Sequence, residues 1–367
     1  GIEGVLTMKS HFSFVPLIAL VIFVQLLTSW TDTNFYLTQL TMSAYYTLLI
    51  IGLCILMGYA GQISLGHAGF FAIGGYVSAA LTTNNLIEFE QSSLVRMLDW
   101  LGIIARGQDI YGDALMVIVP WAACLLAIVS AGLIAWIIGI PILKLKGHYL
   151  AMATLGFGII IYRIALASEY FGEADGISEV PAFPLFAGLE VSGDFGARVE
   201  NYYIAWVLLI VGMILLRNLI QSRAGRALRS IHSSEEAAGS MGVDTSGYKL
   251  KVFVLSAVFA AGTGVFLTHY NGGIGPSEAG VMKSVRYVAI VAVGGMANLW
   301  GALIMGIFLN FLSLRGVFGS YDDAVFGAIL ILIMLFAPNG ILSLNWKEML
   351  SKSTSTTDQK QSLGGTN

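Results

Sequence analysis

Few side chains in this 367-residue chain stand at a spacing that could do chemistry. The five histidines are scattered, and none falls at metal-ligand spacing with Cys, Asp or Glu. No nucleophile–base set stands out, which argues against a membrane-embedded enzyme and leaves no catalytic residue to name. No two carboxylates share an apolar run, so proton or sodium coupling has no obvious seat. No G-x-x-x-x-G-K-[ST] loop occurs, so the chain has no such cradle for ATP phosphates. What remains is a polar knot inside an apolar run. LMGYAGQISLGHAGFFAIGGY, Leu56 to Tyr76, holds six glycines together with Gln62, Ser64 and His67.

The elements that must position this knot are helical. The chain is 56% hydrophobic and 11% charged, against about 25% charged for an ordinary soluble domain. Its mean hydropathy is +0.78. Long apolar stretches alternate with short polar ones, the pattern of an all-α, polytopic helical membrane protein. Cys54 and Cys124 both lie in apolar runs and read as buried thiols, neither a disulfide nor a metal pair. The net charge of -3 says little about partners, and nothing suggests nucleic acid. Met8-Lys9-Ser10 reads as a natural start, which makes Gly1 to Thr7 an added remnant. The run after Lys9 lacks a small-residue cleavage site and reads as a retained span.

At about 20 apolar residues per crossing, the spans fall near 12–30, 42–60, 66–83, 114–140, 147–167, 201–217, 251–270, 285–297, 300–313 and 323–338. That is about ten, the eighth and ninth being short enough for half-helices or a re-entrant pair. The domains expected are an N-terminal segment 1–11, a transmembrane domain 12–340 with a polar loop 218–250, and a Ser/Thr/Gly/Gln-rich, disordered tail 341–367. Lys9, Lys144, Lys146, the tail lysines and the basic loop 217–251 fall on one side. Loop 168–200 holds seven acids and one base, loop 84–113 five acids and two arginines. The positive-inside rule puts both termini and loop 218–250 in the cytoplasm.

Within that loop, SRAGRALRSIHSSEEAAGSMGVDTSGYKLK (Ser222 to Lys251), a short amphipathic helix is expected. Ser233 is its N-cap, with Glu236 closing a capping box. Glu235 and Glu236 suit the N-terminal dipole, and Gly242 ends it. It is either a surface connector or a docking helix. The arginines Arg223, Arg226 and Arg229 either help position it or snorkel to lipid headgroups.

Glu236-Ala237-Ala238 with Gly242 beyond resembles the EAA loop of ABC importer permeases. LKLKGHYLAMATLGFG (Leu143 to Gly158), GRALRSIHSSEEAAGSMGVD (Gly225 to Asp244), VGGMANLWGALIMG (Val293 to Gly306) and MLFAPNGIL (Met334 to Leu342) resemble, in order, the permease family of branched-chain amino acid importers. GQISLGHAGFFAIGGY and the acidic GEADGIS (Gly172 to Ser178) belong to the same resemblance, which spans about residues 40 to 342. Its nearest branch is LivM-like, with the urea-importer permease as competitor.

The resemblance implies an inner-membrane permease paired with a second, LivH-like permease, two cytoplasmic ATPase subunits and an external substrate-binding protein. ATP and Mg would sit on the ATPases, and no cofactor on this chain. Ser233, Glu235, Glu236, Ala237, Ala238, Gly239, Met241 and Gly242 would form the coupling helix, and alternating access would move the substrate. An ion-coupled secondary transporter is the reading from another class, and the sequence does not distinguish leucine from urea.

A second glycine-flanked break, Gly294-Gly295 to Asn298 and Gly301, mirrors Gly61, Gln62, Ser64, Gly66 and His67 in the other half of the chain. Paired interrupted segments point to a translocation pathway at a repeat interface, although close packing through small residues needs no pathway. His67 is either bonded to exposed backbone carbonyls at the break or lines the route. His148, His269 and Arg286 read as interfacial, and Arg163 as snorkelling outward or meeting Glu169. Irregular backbone at membrane depth is tolerated only inside protein or along a cavity, so Gln62 and Ser64 are expected to face the subunit interior.

Overall fold

Glycines, prolines and short polar turns set the helix boundaries, and the computed structural model follows them. It describes residues 14–108, 114–186, 188–317 and 319–336. The segments 1–11 and 341–367 and most of MLFAPNGIL lie outside the described residues.

Helix α1 runs Val15–Trp30 and α2 Phe35–Cys54, continued by a π turn over Ile55–Tyr59. Then follow α3 (His67–Thr83), α4 (Ser93–Trp100), α5 (Pro120–Ile142), α6 (His148–Ala167) and α7 (Arg198–Gln221). The second half holds α8 (Arg223–Ser233), α9 (Glu235–Ser240), α10 (Thr245–Asn271), α11 (Val281–Gly294), α12 (Leu299–Leu314) and α13 (Asp322–Phe336). Ten of these correspond to the ten expected spans. Among the described residues, five are long and apolar enough by themselves to cross a membrane: α2 with its π turn, α5, α6, α7 and α10.

The departure from expectation that changes the kind of element is at the start of α5. Residues 114–118 are not helical: Ala114–Ile118 is strand β2, antiparallel to β1 (Ile104–Gln108), with Ile104 opposite Ile118. Pro120, at the first position of α5, starts the span instead, because its missing N–H costs nothing there. The strands form a small unit with α4 around Val95, Ile104 and Met116. The eighth and ninth expected spans, read as short enough for half-helices or a re-entrant pair, are α11 and α12. They are packed neighbours joined by a tight turn. Gly294 faces Gly301 so closely that a Cβ on either would collide with the other's backbone.

Strands are confined to connections. β3 (Ile177–Ser178) pairs with β6 (Gly273–Ile274), and β4 (Phe183–Pro184) with β5 (Glu190–Val191). They fasten the acidic connection 168–197 over the end of α10.

The core is built inward from α2, whose most apolar window is 89% buried. It is flanked by α7, α10, α11 and α12. Helices α3 and α10 approach closely because small residues meet. A Cβ at Gly74 would strike the Ala261 backbone, and one at Gly264 would strike that of Phe71. Such contacts hold helices together where hydrophobic burial gives little drive. By contrast α5 and α6 leave most of their length unburied, with Leu125, Trp136 and Ile160 outward. That is the surface expected against lipid or a partner helix.

Candidate functional site: the short helix and the two breaks

Ser222 begins the basic segment. Its Oγ accepts the Gly225 N–H at 3.4 Å and caps α8. The sequence reading missed this helix, although its residues alternate strongly between a buried face (Leu228, Ile231) and exposed arginines. Ser233 is its last residue, so the expected N-cap is corrected by one. Ser234, in extended backbone, is the cap of α9, and its Oγ accepts the Ala237 N–H at 3.2 Å. The capping box with Glu236 does not form, since the third residue of the helix is then Ala237. Helix α9 is six residues long, shorter than the two turns expected.

Three features fix α9. Ala238 is buried. Glu235 is held 2.5 Å from Lys249 on α10. Gly242, at φ +83°, turns the chain out of the helix. Asp244 then caps α10, its carboxylate accepting the Gly247 N–H at 3.0 Å and the Ser246 hydroxyl at 3.1 Å. The Gly247 N–H and then the Ser246 hydroxyl hold the Asp244 carboxyl below the ordinary value. Glu236, Ala237, Gly239, Ser240 and Met241 are left exposed on one small knob, Met241 at 85%.

The first break abuts this unit. Gly61 is at φ +67°, and a Cβ there would lie 2.8 Å from Nδ1 of His232 on α8. The Gln62 N–H reaches back to the Leu56 carbonyl at 3.1 Å, across the π turn. Gln62, Ser64 and His67 are almost fully buried, so the two polar side chains face protein, as expected. His67 is bonded to hydroxyls and not to backbone carbonyls, which corrects that expectation. Its Nδ1 is 3.0 Å from Ser64 Oγ and its Nε2 2.6 Å from Ser256 Oγ on α10. The Leu65 N–H donates to Thr154 Oγ1 of α6 at 3.0 Å, and the Ala68 N–H to Ser284 Oγ of α11 at 3.3 Å. Helices α6, α8, α10 and α11 therefore meet over residues 61–68.

The second break packs against the end of α2 and the π turn that lead into the first. Asn298 caps α12, its Oδ1 accepting the Gly301 N–H at 3.0 Å. Gly295 has φ +96°. The Met296 carbonyl accepts from Cys54 Sγ at 3.3 Å, and the Ala297 carbonyl from Tyr59 Oη at 2.8 Å. A Cβ on Gly58 would drive into the Met296 carbonyl. Gly61, Gln62, Ser64, Gly66, His67, Gly294, Gly295, Asn298 and Gly301 thus gather at the end of the bundle that carries α8 and α9.

Other sequence candidates fall elsewhere. His148 and Arg163 are exposed. His269 is buried, between Ser78 Oγ at 2.8 Å and the Pro181 carbonyl at 2.7 Å, not at an exposed interface. Arg286 is paired with Asp322 at 3.4 Å and Asp323 at 3.1 Å. Among the described residues no group of His, Cys, Asp or Glu could hold a metal ion.

The model of the family described as branched-chain amino acid transport system / permease component matches residues 35–334. The chain belongs to that family. The high-affinity branched-chain amino acid transport system permease protein LivM of Salmonella typhimurium is 28% identical over 85% of this chain and 71% of its own length. LivM of Escherichia coli matches equally, at 28% over the same shares. The LivH permease of Escherichia coli is 28% identical over 82% of this chain and 92% of its own. No solved structure matches. Both breaks, α8 and α9 of this permease lie inside the matched region.

Proposed function

We propose that this permease is the LivM-like membrane subunit of an ATP-driven, binding-protein-dependent importer of branched-chain or related hydrophobic amino acids. It pairs with a LivH-like permease and rests on two ATPase subunits, which bind the ATP and Mg. An external binding protein delivers the substrate. The chain spans the inner membrane with both termini and loop 218–250 in the cytoplasm.

The observation that carries this reading is the α9 knob. It leaves Glu236, Ala237, Gly239 and Met241 exposed while Lys249 and the α8 contacts clamp it to the bundle. A short helix so held transmits a push: displacement of α9 moves α8, and His232 of α8 rests against the Gly61 break. The break in turn bonds to α6, α10 and α11. Nucleotide binding biases the outward- and inward-open states only if the ATPase contact with α9 differs between them.

The test is Glu236→Arg in the assembled importer. The exposed side chain makes the change harmless to the fold. The expected result is weakened ATPase association and loss of substrate-stimulated ATP hydrolysis. Wild-type association and coupled uptake in the variant refute the docking role of α9.

A further inference from the structure

The opposite end of the bundle brings an ion pair formed across one turn against a tyrosine from the other half of the chain. Glu278 sits in the short 3-10 turn Pro276–Ala279, packed between α3 and α6, and Lys283 is in the first turn of α11. Lys283 Nζ lies 3.0 Å from Glu278 Oε1 and 3.3 Å from Tyr46 Oη of α2. Tyr46 donates to the same carboxylate at 3.2 Å. The ammonium stands 4.9 Å from the centre of the Tyr46 ring.

A structural ion pair in protein is expected to have its neighbours satisfied, because a buried polar group without a partner is costly. Here they are not. Tyr287, whose ring lies 6.2 Å from that of Tyr46, is 1% exposed, and its hydroxyl has no partner. The buried hydroxyls of Tyr76 and Thr268 also lack partners. A cavity of about 20 Å³ touches Tyr46, Lys283 and Tyr287, and another of about 10 Å³ touches Thr268 and Glu278. Each is far too small for an amino acid, so the ion pair fills its own site in this structure.

Resting on the importer reading above, we propose that Glu278, Lys283 and the phenols of Tyr46 and Tyr287 form a transit site for the zwitterionic head of an α-amino acid. The substrate ammonium takes the place of the lysine beside Glu278. The substrate carboxylate takes the place of the glutamate beside Lys283. One ion pair becomes two, so each protein charge keeps an opposite partner and neither substrate charge is buried alone. The Tyr287 hydroxyl, unpartnered in the closed form, gains a substrate oxygen or ammonium. Entry requires the Glu278–Lys283 pair to part, each partner already bordering one of the two cavities. A neutral solute such as urea has no charges to exchange with the pair, so this site selects for amino acids.

The test uses the full importer in liposomes with its binding protein. Leucine moved per ATP hydrolysed is measured for wild type, Glu278→Gln and Lys283→Gln, with assembly checked by gel filtration. The expected result is at least a tenfold fall in that ratio for both variants. Ratios within twofold of wild type overturn the site. If either variant fails to assemble, Tyr287→Phe, which removes one unpartnered hydroxyl, decides by the same ratio with a threefold fall expected. A wild-type importer that moves no leucine defeats the importer reading itself. Leucine uptake by wild type and equal uptake by the variants defeats only the site.

Discussion

Replacing Gly61 by Ala tests whether the first break is mechanically joined to the short helix. Two costs arise, and the structure separates them. Gly61 has φ +67°, a left-handed conformation that costs an L-residue roughly 1–2 kcal/mol. The new Cβ also lies 2.8 Å from His232 Nδ1, so the imidazole must shift. Deleting that exposed imidazole alone removes no buried contact, and His232→Ala costs within about 0.5 kcal/mol. In the double variant the backbone strain persists while the collision is gone. Neighbouring residues that share a contact typically couple by about 0.5–3 kcal/mol. A value near 1 kcal/mol is expected here, since a flexible side chain yields. On thermal stability this is a recovery of about 1 kcal/mol of the Gly61→Ala loss when His232→Ala is added. The assay is a double-mutant cycle on uptake rate in the reconstituted importer, with thermal melting of each complex beside it. Strict additivity of the two substitutions in both readouts refutes the link between the break and α8.

Three further outcomes follow from the same geometry. Gly58→Ala pushes a methyl group into the Met296 carbonyl and is expected to destabilise by about 1–3 kcal/mol or more, read as a lowered melting temperature. Ser234→Ala removes the cap of α9 at about 1 kcal/mol, seen as faster amide exchange over 235–240, whereas Ser233→Ala leaves that exchange unchanged. Asp244 has a depressed folded pKa, so its capping contribution is complete above the ordinary carboxylate value near 3.9 and is lost as pH falls through the lower folded value; Asp244→Asn removes that acid-side dependence of melting.

The positions of the helices were legible because glycines, prolines and polar turns mark their ends. Pro120 moved a boundary that hydropathy alone set at 114, since Ala114–Ile118 is apolar enough to pass for helix until it pairs with Ile104–Gln108. The cap of α9 was misplaced by one residue because Ser233 and Ser234 are adjacent and equally able to cap. Only backbone geometry, helical at Ser233 and extended at Ser234, separates them. Helix α8 was readable in principle from the apolar spacing of Leu228 and Ile231, but its arginines masked it. The burial of Gln62 and Ser64 followed from the cost of polar groups facing lipid. The packing of the second break on the π turn did not, since nothing local in Gly58 or Met296 announces their contact. The Glu278–Lys283–Tyr46 cluster was invisible for the same reason. Tyr46 and Glu278 are 232 positions apart, and the search for paired carboxylates within one run overlooks a carboxylate paired with an amine across a turn.

The central claim is that this chain is a permease driven through α9 by separate ATPases. It is tested most directly by reconstituting the chain with a LivH-like permease, the two ATPase subunits and the binding protein, and measuring leucine uptake as each component is withheld. The account predicts uptake that requires ATP and every component, and that Glu236→Arg abolishes. Uptake by this chain alone under an ion gradient, or ATP-driven uptake unaffected by Glu236→Arg, contradicts it.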